Sequence, residues 1–248
     1  MSHASTSRAA AATAAAVAAA AAAGMSLLAG CSQGMPNGGP DVAMVREVAA
    51  SSQVKMPDRA GAIFPLTPGR TLKMRVTRGG ANGGVVPGEV RVVGVRTLVG
   101  RTGTLVESVR GGKRFRLELY GTDGDGKTIR LKALGESPER MLVFDPPIPV
   151  LKSGSATGAD LLWNGTARMG EAQYSARAYH RVSAHVPVKT PSGEYKAFRL
   201  DSIISVTANR QRIDYPAVMW LAPEVGMVQR RLAERNRPVE EHLAERPR

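Results

Sequence analysis

The sequence predicts a mainly β protein, an antiparallel meander placed behind an Ala-rich N-terminal signal helix. Three observations carry that reading. Apolar and charged residues alternate at period two through most of residues 63–232, as half-buried strands require. Turns bearing Gly and Pro separate the alternating runs. Ahead of them, Ala9 to Ala23 is an alanine run interrupted only by Thr13 and Val17.

Residues 1–30 have the layout of a secretory signal: a short start carrying Arg8 and no acid, the alanine run, then Leu28-Ala29-Gly30-Cys31. That tetrapeptide resembles the lipobox of bacterial lipoproteins. The resemblance implies cleavage between Gly30 and Cys31 and a diacylglyceryl group on the Cys31 thiol. Small side chains at Ala29 and Gly30 suit a peptidase cleft, and Leu28 suits an apolar subsite. Two or three acyl chains anchor stably where one does not. Alanine is too weakly hydrophobic to favour a retained membrane span. Cys31 is also the only cysteine, so the chain has no intramolecular disulfide.

The expected address is the cell envelope, with the membrane as a partner through lipid on Cys31. Ser32 follows the cysteine. In Gram-negative lipoproteins an Asp at that place resembles an inner-membrane retention signal. Its absence points to the outer membrane, facing the periplasm; without an outer membrane, the anchor sits on the outer face of the plasma membrane. The formal charge of +13 at pH 7 admits anionic headgroups, acidic envelope polymers or nucleic acid. An exported location argues against nucleic acid and nucleotide.

Residues 31–62, rich in Gly, Pro, Ser, Asn and Ala, read as a lipidated flexible tether. The ordered domain, 63–232, is expected to open at Ile63-Phe64-Pro65-Leu66. Leu72, Met74 and Val76 alternate with Lys73 and Arg75. Val90 and Val92 share one parity and Val93 and Val95 the other, which predicts a bulge near Gly94. Gly111-Gly112 predicts a hairpin before Phe115, Leu117 and Leu119. Asp145-Pro146-Pro147-Ile148-Pro149 is too rich in proline for a central strand and predicts a crossing or an edge. Later runs bring the expectation to about ten strands, with Trp163 and Trp220 as large core pieces. Residues 233–248 form a charged tail, expected to fray or make a short helix.

Three segments resemble a group of uncharacterised bacterial periplasmic and lipoprotein domains. Ile63-Phe64-Pro65-Leu66-Thr67-Pro68-Gly69-Arg70 is similar to that group's F-P-L-x-x-G opening. Trp220 to Val228 resembles its W-Y-A-P-G-V-G-L-V strand, and Thr190-Pro191-Ser192-Gly193 its T-P-A-G turn. The chain departs from the pattern at Leu72, Leu221 and Glu224. The fold implied is a single curved antiparallel sheet, a half-barrel akin to lipoprotein-carrier domains.

Gly121-Thr122-Asp123-Gly124-Asp125-Gly126-Lys127-Thr128 matches the P-loop pattern letter for letter. A P-loop needs a helix after the lysine to cradle phosphate, whereas Ile129-Arg130-Leu131-Lys132-Ala133 alternates like a strand. Asp123 and Asp125 would also repel phosphate, so the segment reads as a hairpin loop. Calcium is disfavoured because Leu134 stands where an EF-hand loop places its acid. His180 and His185, five residues apart, are expected on opposite strand faces, and no metal site or cofactor is expected. No catalytic constellation is legible, so the expectation is a non-enzyme.

Lys73 and Arg75, Arg114 and Arg116, and Arg130 and Lys132 occupy alternate strand positions opposite apolar ones, making a candidate basic sheet face. The function expected is an envelope lipoprotein whose domain binds or carries a lipid or other hydrophobic ligand. The alternative is an assembly lipoprotein that docks an envelope protein or an anionic polymer through that basic face.

Overall fold

Twelve antiparallel strands, joined in chain order, close into a barrel in the computed structural model, which describes residues 53–78, 84–233 and 240–245. They are β1 (Thr71–Arg78), β2 (Val85–Leu98), β3 (Arg101–Arg110), β4 (Lys113–Thr122), β5 (Thr128–Gly135) and β6 (Met141–Lys152). The second half comprises β7 (Asp160–Met169), β8 (Ala172–Thr190), β9 (Gly193–Ala208), β10 (Gln211–Ala222), β11 (Gly226–Leu232) and β12 (Glu240–Ala244). The signal segment, the Leu28–Cys31 lipobox and residues 31–52 of the tether lie outside the described residues.

The half-barrel is therefore corrected to a closed barrel. The cause is β12, in the segment expected to fray or turn helical. It pairs with β11 through Gln229↔Leu243 to Leu232↔Glu240, and with β1 through Met74↔Ala244 to Arg78↔Glu240. A curved sheet leaves two unpaired edges, and one added strand satisfies both.

The expected bulge lies between Val92 and Gly94. Gly111 (φ 54°) and Gly112 (φ 76°) form the β3–β4 turn, where two left-handed residues match the strand twist. The proline-rich stretch makes no crossing; it lies inside β6, where the strand is an edge on its β7 side. Only Val143, Phe144 and Asp145 pair with β7, so the prolines fall where that ladder has ended. Pro146 and Pro147 also sit in the gap between the two segments of the β5 ladder. No ladder hydrogen bond is demanded of a residue that lacks an N–H.

Inward side chains build a large apolar core that includes Met74, Val76, Phe144, Ile148, Trp163, Leu200 and Ile204. Residues 54–70 close one end. Met56 N–H donates to Ser155 O (2.9 Å), and Glu224 N–H donates to Ala62 O (2.7 Å) of the short helix α1 (Ala60–Ile63). Phe64 meets Tyr120 edge to face at 5.2 Å.

A smaller core of Leu105, Leu117, Leu119, Ala133, Met141 and Val143 uses the opposite strand parity, outside the barrel. The tip of the β2–β3 hairpin folds over it. Thr102 O accepts from Lys132 Nζ at 2.6 Å on β5, and Arg101 pairs with Asp145 at 3.1 Å on β6. Gly103 permits this approach: a Cβ there would lie 2.3 Å from Tyr120 O. Gly103→Ala is expected to cost about 1–3 kcal/mol through overpacking. Gly124→Ala, at a site with nothing within 4 Å, should be close to neutral. Paired thermal melts check this; equal melting points would show that the tip does not pack there.

Candidate functional site

The six basic residues predicted to share a face lie on β1, β4 and β5, within one arc of the ring. Lys73 and Arg75 point outward from β1; Lys73 stands opposite Glu89, and Arg75 Nε lies 3.6 Å from Glu245. Arg114 pairs with Glu107 at 3.4 Å and Arg130 with Asp123 at 2.5 Å. Lys132 is held by Thr102 O, as described above. Arg116 points into the lumen, 2.9 Å from Glu118. The β3–β4 bulge between Ser108 and Val109 shifts strand parity between Arg114 and Arg116. β2 and β3, which carry Glu89 and Glu107, lie between the β1 pair and the others.

The Gly121–Thr128 segment is the turn from β4 to β5. Arg130 spans it through both Asp123 carboxylate oxygens, and strand begins at Thr128. No helix follows Lys127, so the phosphate cradle is not formed. His180 and His185 face the same side, contrary to the five-residue count. A bulge between Val182 and Ala184 adds a residue, placing His180 opposite Ser202 and His185 opposite Phe198. Those partners are four residues apart on a regular strand, roughly 13 Å. Among the described residues no group of three His, Cys, Asp or Glu side chains is placed to hold a metal.

Two regions concentrate polar side chains. The first is inside the barrel. Arg230 of β11 reaches across the lumen, donating from Nη2 to Ser108 Oγ (3.0 Å), with Nη1 3.6 Å from Glu118 Oε2. Tyr120 OH donates to Glu118 Oε1 at 3.2 Å, and His242 stacks on Phe115 at 5.8 Å. Burial works to raise the Glu118 carboxyl, yet Arg116 and Arg230 hold it below the ordinary value. Burial pushes Tyr120 well up and lowers Arg230 to about 10, against the pull of Glu118. Burial, with Arg230, Arg110 and Arg116 nearby, pushes His242 down to about 2. The cavity beside this network, lined by Phe64, Leu72, Met219 and Met227, is about 30 Å³. That is the share of one water molecule.

The second region is a groove of about 960 Å³ on the outer face of β7–β10. Register sets its side chains in rows across the strands. Asn164–Arg177–Ser205 forms one row and Leu162–Tyr179–Ile203 the next, followed by Asp160–Arg181–Asp201. Ser175–Thr207–Arg212 flanks them on the other side. Leu162 is 75% exposed, and Tyr179 OH donates to Asp160 Oδ1 at 3.1 Å. Arg181 Nε lies 3.8 Å from Asp160, and Arg212 Nε lies 2.7 Å from Asp214. Arg177 has no hydrogen bond or ion pair among the described residues.

Asp201 at the groove is 1% exposed; its Oδ1 accepts from Arg199 Nε at 2.9 Å and its Oδ2 has no donor. Burial raises its carboxyl, with Ser183 and Arg199 acting against that shift. Next to it, Arg199 and Arg231 lie over the Trp220 ring at 5.6 and 5.5 Å. The alternation Ser175, Arg177, Tyr179, Arg181, Ser183 is visible in the sequence, but a period-two polar face does not distinguish a concave surface from a convex one.

No family model matches the chain, and no curated protein matches it. Two solved structures are similar. A Bacteroides fragilis protein named as exported, with a YmcC-like fold, shares 12% identity at a TM-score of 0.36, over 74% of this chain and 97% of its own. A Parabacteroides distasonis protein named as a lipoprotein shares 13% identity at a TM-score of 0.35, over 73% of this chain and 96% of its own. At these scores the likeness carries no argument about what this chain does.

Proposed function

We propose that the protein is a membrane-anchored envelope lipoprotein whose barrel is a non-catalytic binding module that takes its ligand on the outer surface. The anchor rests on Leu28-Ala29-Gly30-Cys31. The choice of surface rests on one observation: the lumen cavity is about 30 Å³ and the outer groove about 960 Å³. Small-ligand sites run from about 300 to 1,000 Å³, so that lumen cavity is too small for an acyl chain. That contrast favours docking on the outer surface over carriage of a lipid in the core.

The barrel itself is not suited to span a bilayer. Its outer face on β1–β3 carries Lys73, Arg75, Glu89, Arg91 and Glu107, where a spanning barrel needs an apolar band. Membrane attachment is therefore assigned to lipid on Cys31. Cys31→Ala should move the protein from the membrane to the soluble fraction and prevent the mass increase of lipidation. Retention at the membrane with unchanged mass would remove the anchor from the reading.

A further inference from the structure

We infer that the groove on β7–β10 binds an acidic glycan, a sugar chain carrying widely spaced carboxylates among many hydroxyls. The inference rests on the proposed binding role and names the ligand class of that groove. Its first support is Arg177. This guanidinium stands in the groove without a partner, between Asn164 and Ser205 in register, and its planar fork matches a carboxylate.

The second support is Asp201 Oδ2, a buried acceptor at the same groove that lacks a donor. A ligand that supplies both an anion to Arg177 and a hydroxyl donor towards Asp201 is a hydroxylated acid. Between these two points lies the apolar row of Leu162, Tyr179 and Ile203, suited to the C–H face of a sugar ring. The Tyr179 hydroxyl is already tied to Asp160, which holds the ring in place.

Other anionic ligands fit less well. Asp160, Asp201 and Asp214 are interleaved with the arginines, so a polymer charged as densely as polyphosphate would be repelled along its length, whereas one carboxylate per sugar ring leaves room between the acids. A flat bilayer cannot follow a concave surface. Protein interfaces are depleted of Asp and Ser, whereas Asp201, Ser175, Ser183 and Ser205 line this groove.

The test uses the full chain purified in detergent and three probes: tetragalacturonate, neutral maltotetraose and tetrapolyphosphate, each titrated by calorimetry. Tetragalacturonate should bind about ten-fold or more tightly than either of the others, as one charge-assisted fork implies. Arg177→Ala should remove that advantage without moving the melting point, and Arg177→Lys should restore part of it. Polyphosphate binding as tight as the uronate would reduce the groove to non-specific charge attraction and overturn the assignment. An unchanged affinity in Arg177→Ala, or no uronate binding at all, would also overturn it. Either result leaves the anchor untouched, because the Cys31→Ala fractionation reads that separately.

Discussion

Acidification from pH 6.5 to 4 is expected to strip the barrel of most of its stability, because it folds around histidines that stay neutral. His180 is 1% exposed, and neither ring nitrogen has a partner. Its flanking positions across the sheet, Leu161 and Ser202, carry no charge, and burial alone lowers its pKa to about 4. Above 6.5 both folded and unfolded chains hold a neutral imidazole, so titration contributes nothing. Between 6.5 and 4 the unfolded chain gains a proton that the folded barrel refuses. Stability falls by about 1.4 kcal/mol per pH unit for one such group, or about 3 kcal/mol across the window.

His242, pushed down to about 2, loses stability over the same window and continues below it. Glu118, held below its ordinary value, adds a further loss once pH falls under the usual carboxylate range. Asp201 acts in the opposite sense: its folded pKa is raised, so its protonation returns some stability as acid is added. Two histidines at about 3 kcal/mol each rival the 5–15 kcal/mol that holds an ordinary domain together. Urea titrations at pH 7.5, 6, 5 and 4 should show the midpoint collapsing. His180→Leu should flatten the slope by about one proton and stabilise the barrel at pH 7.5 by about 1–3 kcal/mol, since two unsatisfied buried nitrogens are removed. An unchanged slope would mean that His180 is solvated in the native state.

Alternation made the strand class legible, because a half-buried sheet needs apolar side chains on one face only. The bulge near Gly94 and the Gly111-Gly112 hairpin were equally local and therefore readable. Closure was not. β12 reads Glu240-Glu241-His242-Leu243-Ala244, and its inward positions are a histidine and an alanine, neither an apolar strand signal. His242 is buried because Phe115 lies against it, a contact between strands distant in sequence.

The basic residues show the same limit. Arg116 and Arg114 are two apart and read as one face until a bulge turns Arg116 inward. Glu118 lies between Leu117 and Leu119 as a solvent-facing acid would, and only the register reveals it as the partner of Arg230. The outer groove depends on the shape of the long β8–β9 hairpin relative to its neighbours. Alternation fixes which side a residue faces, whereas curvature fixes how deep that side is.

The lumen network gives the second large effect, and its asymmetry is the informative part. Glu118 is the acid shared by two guanidiniums, Arg116 at 2.9 Å and Arg230 at 3.6 Å. Glu118→Leu leaves Arg230, only 2% exposed, with Ser108 as its hydrogen-bonding partner, and sets two positive charges against each other. Breaking a buried pair in this way costs about 3–5 kcal/mol. Arg230→Met should cost less, because Glu118 keeps Arg116 and the Tyr120 hydroxyl, and methionine follows the arginine stem. The double variant should recover much of the Glu118→Leu loss, since the remaining Arg116 side chain is 16% exposed and lies nearer water. Chemical denaturation of the three variants gives the coupling energy directly. If Arg230→Met proves as damaging as Glu118→Leu, Arg230 stabilises the barrel through its span to Ser108 on β3 rather than through charge.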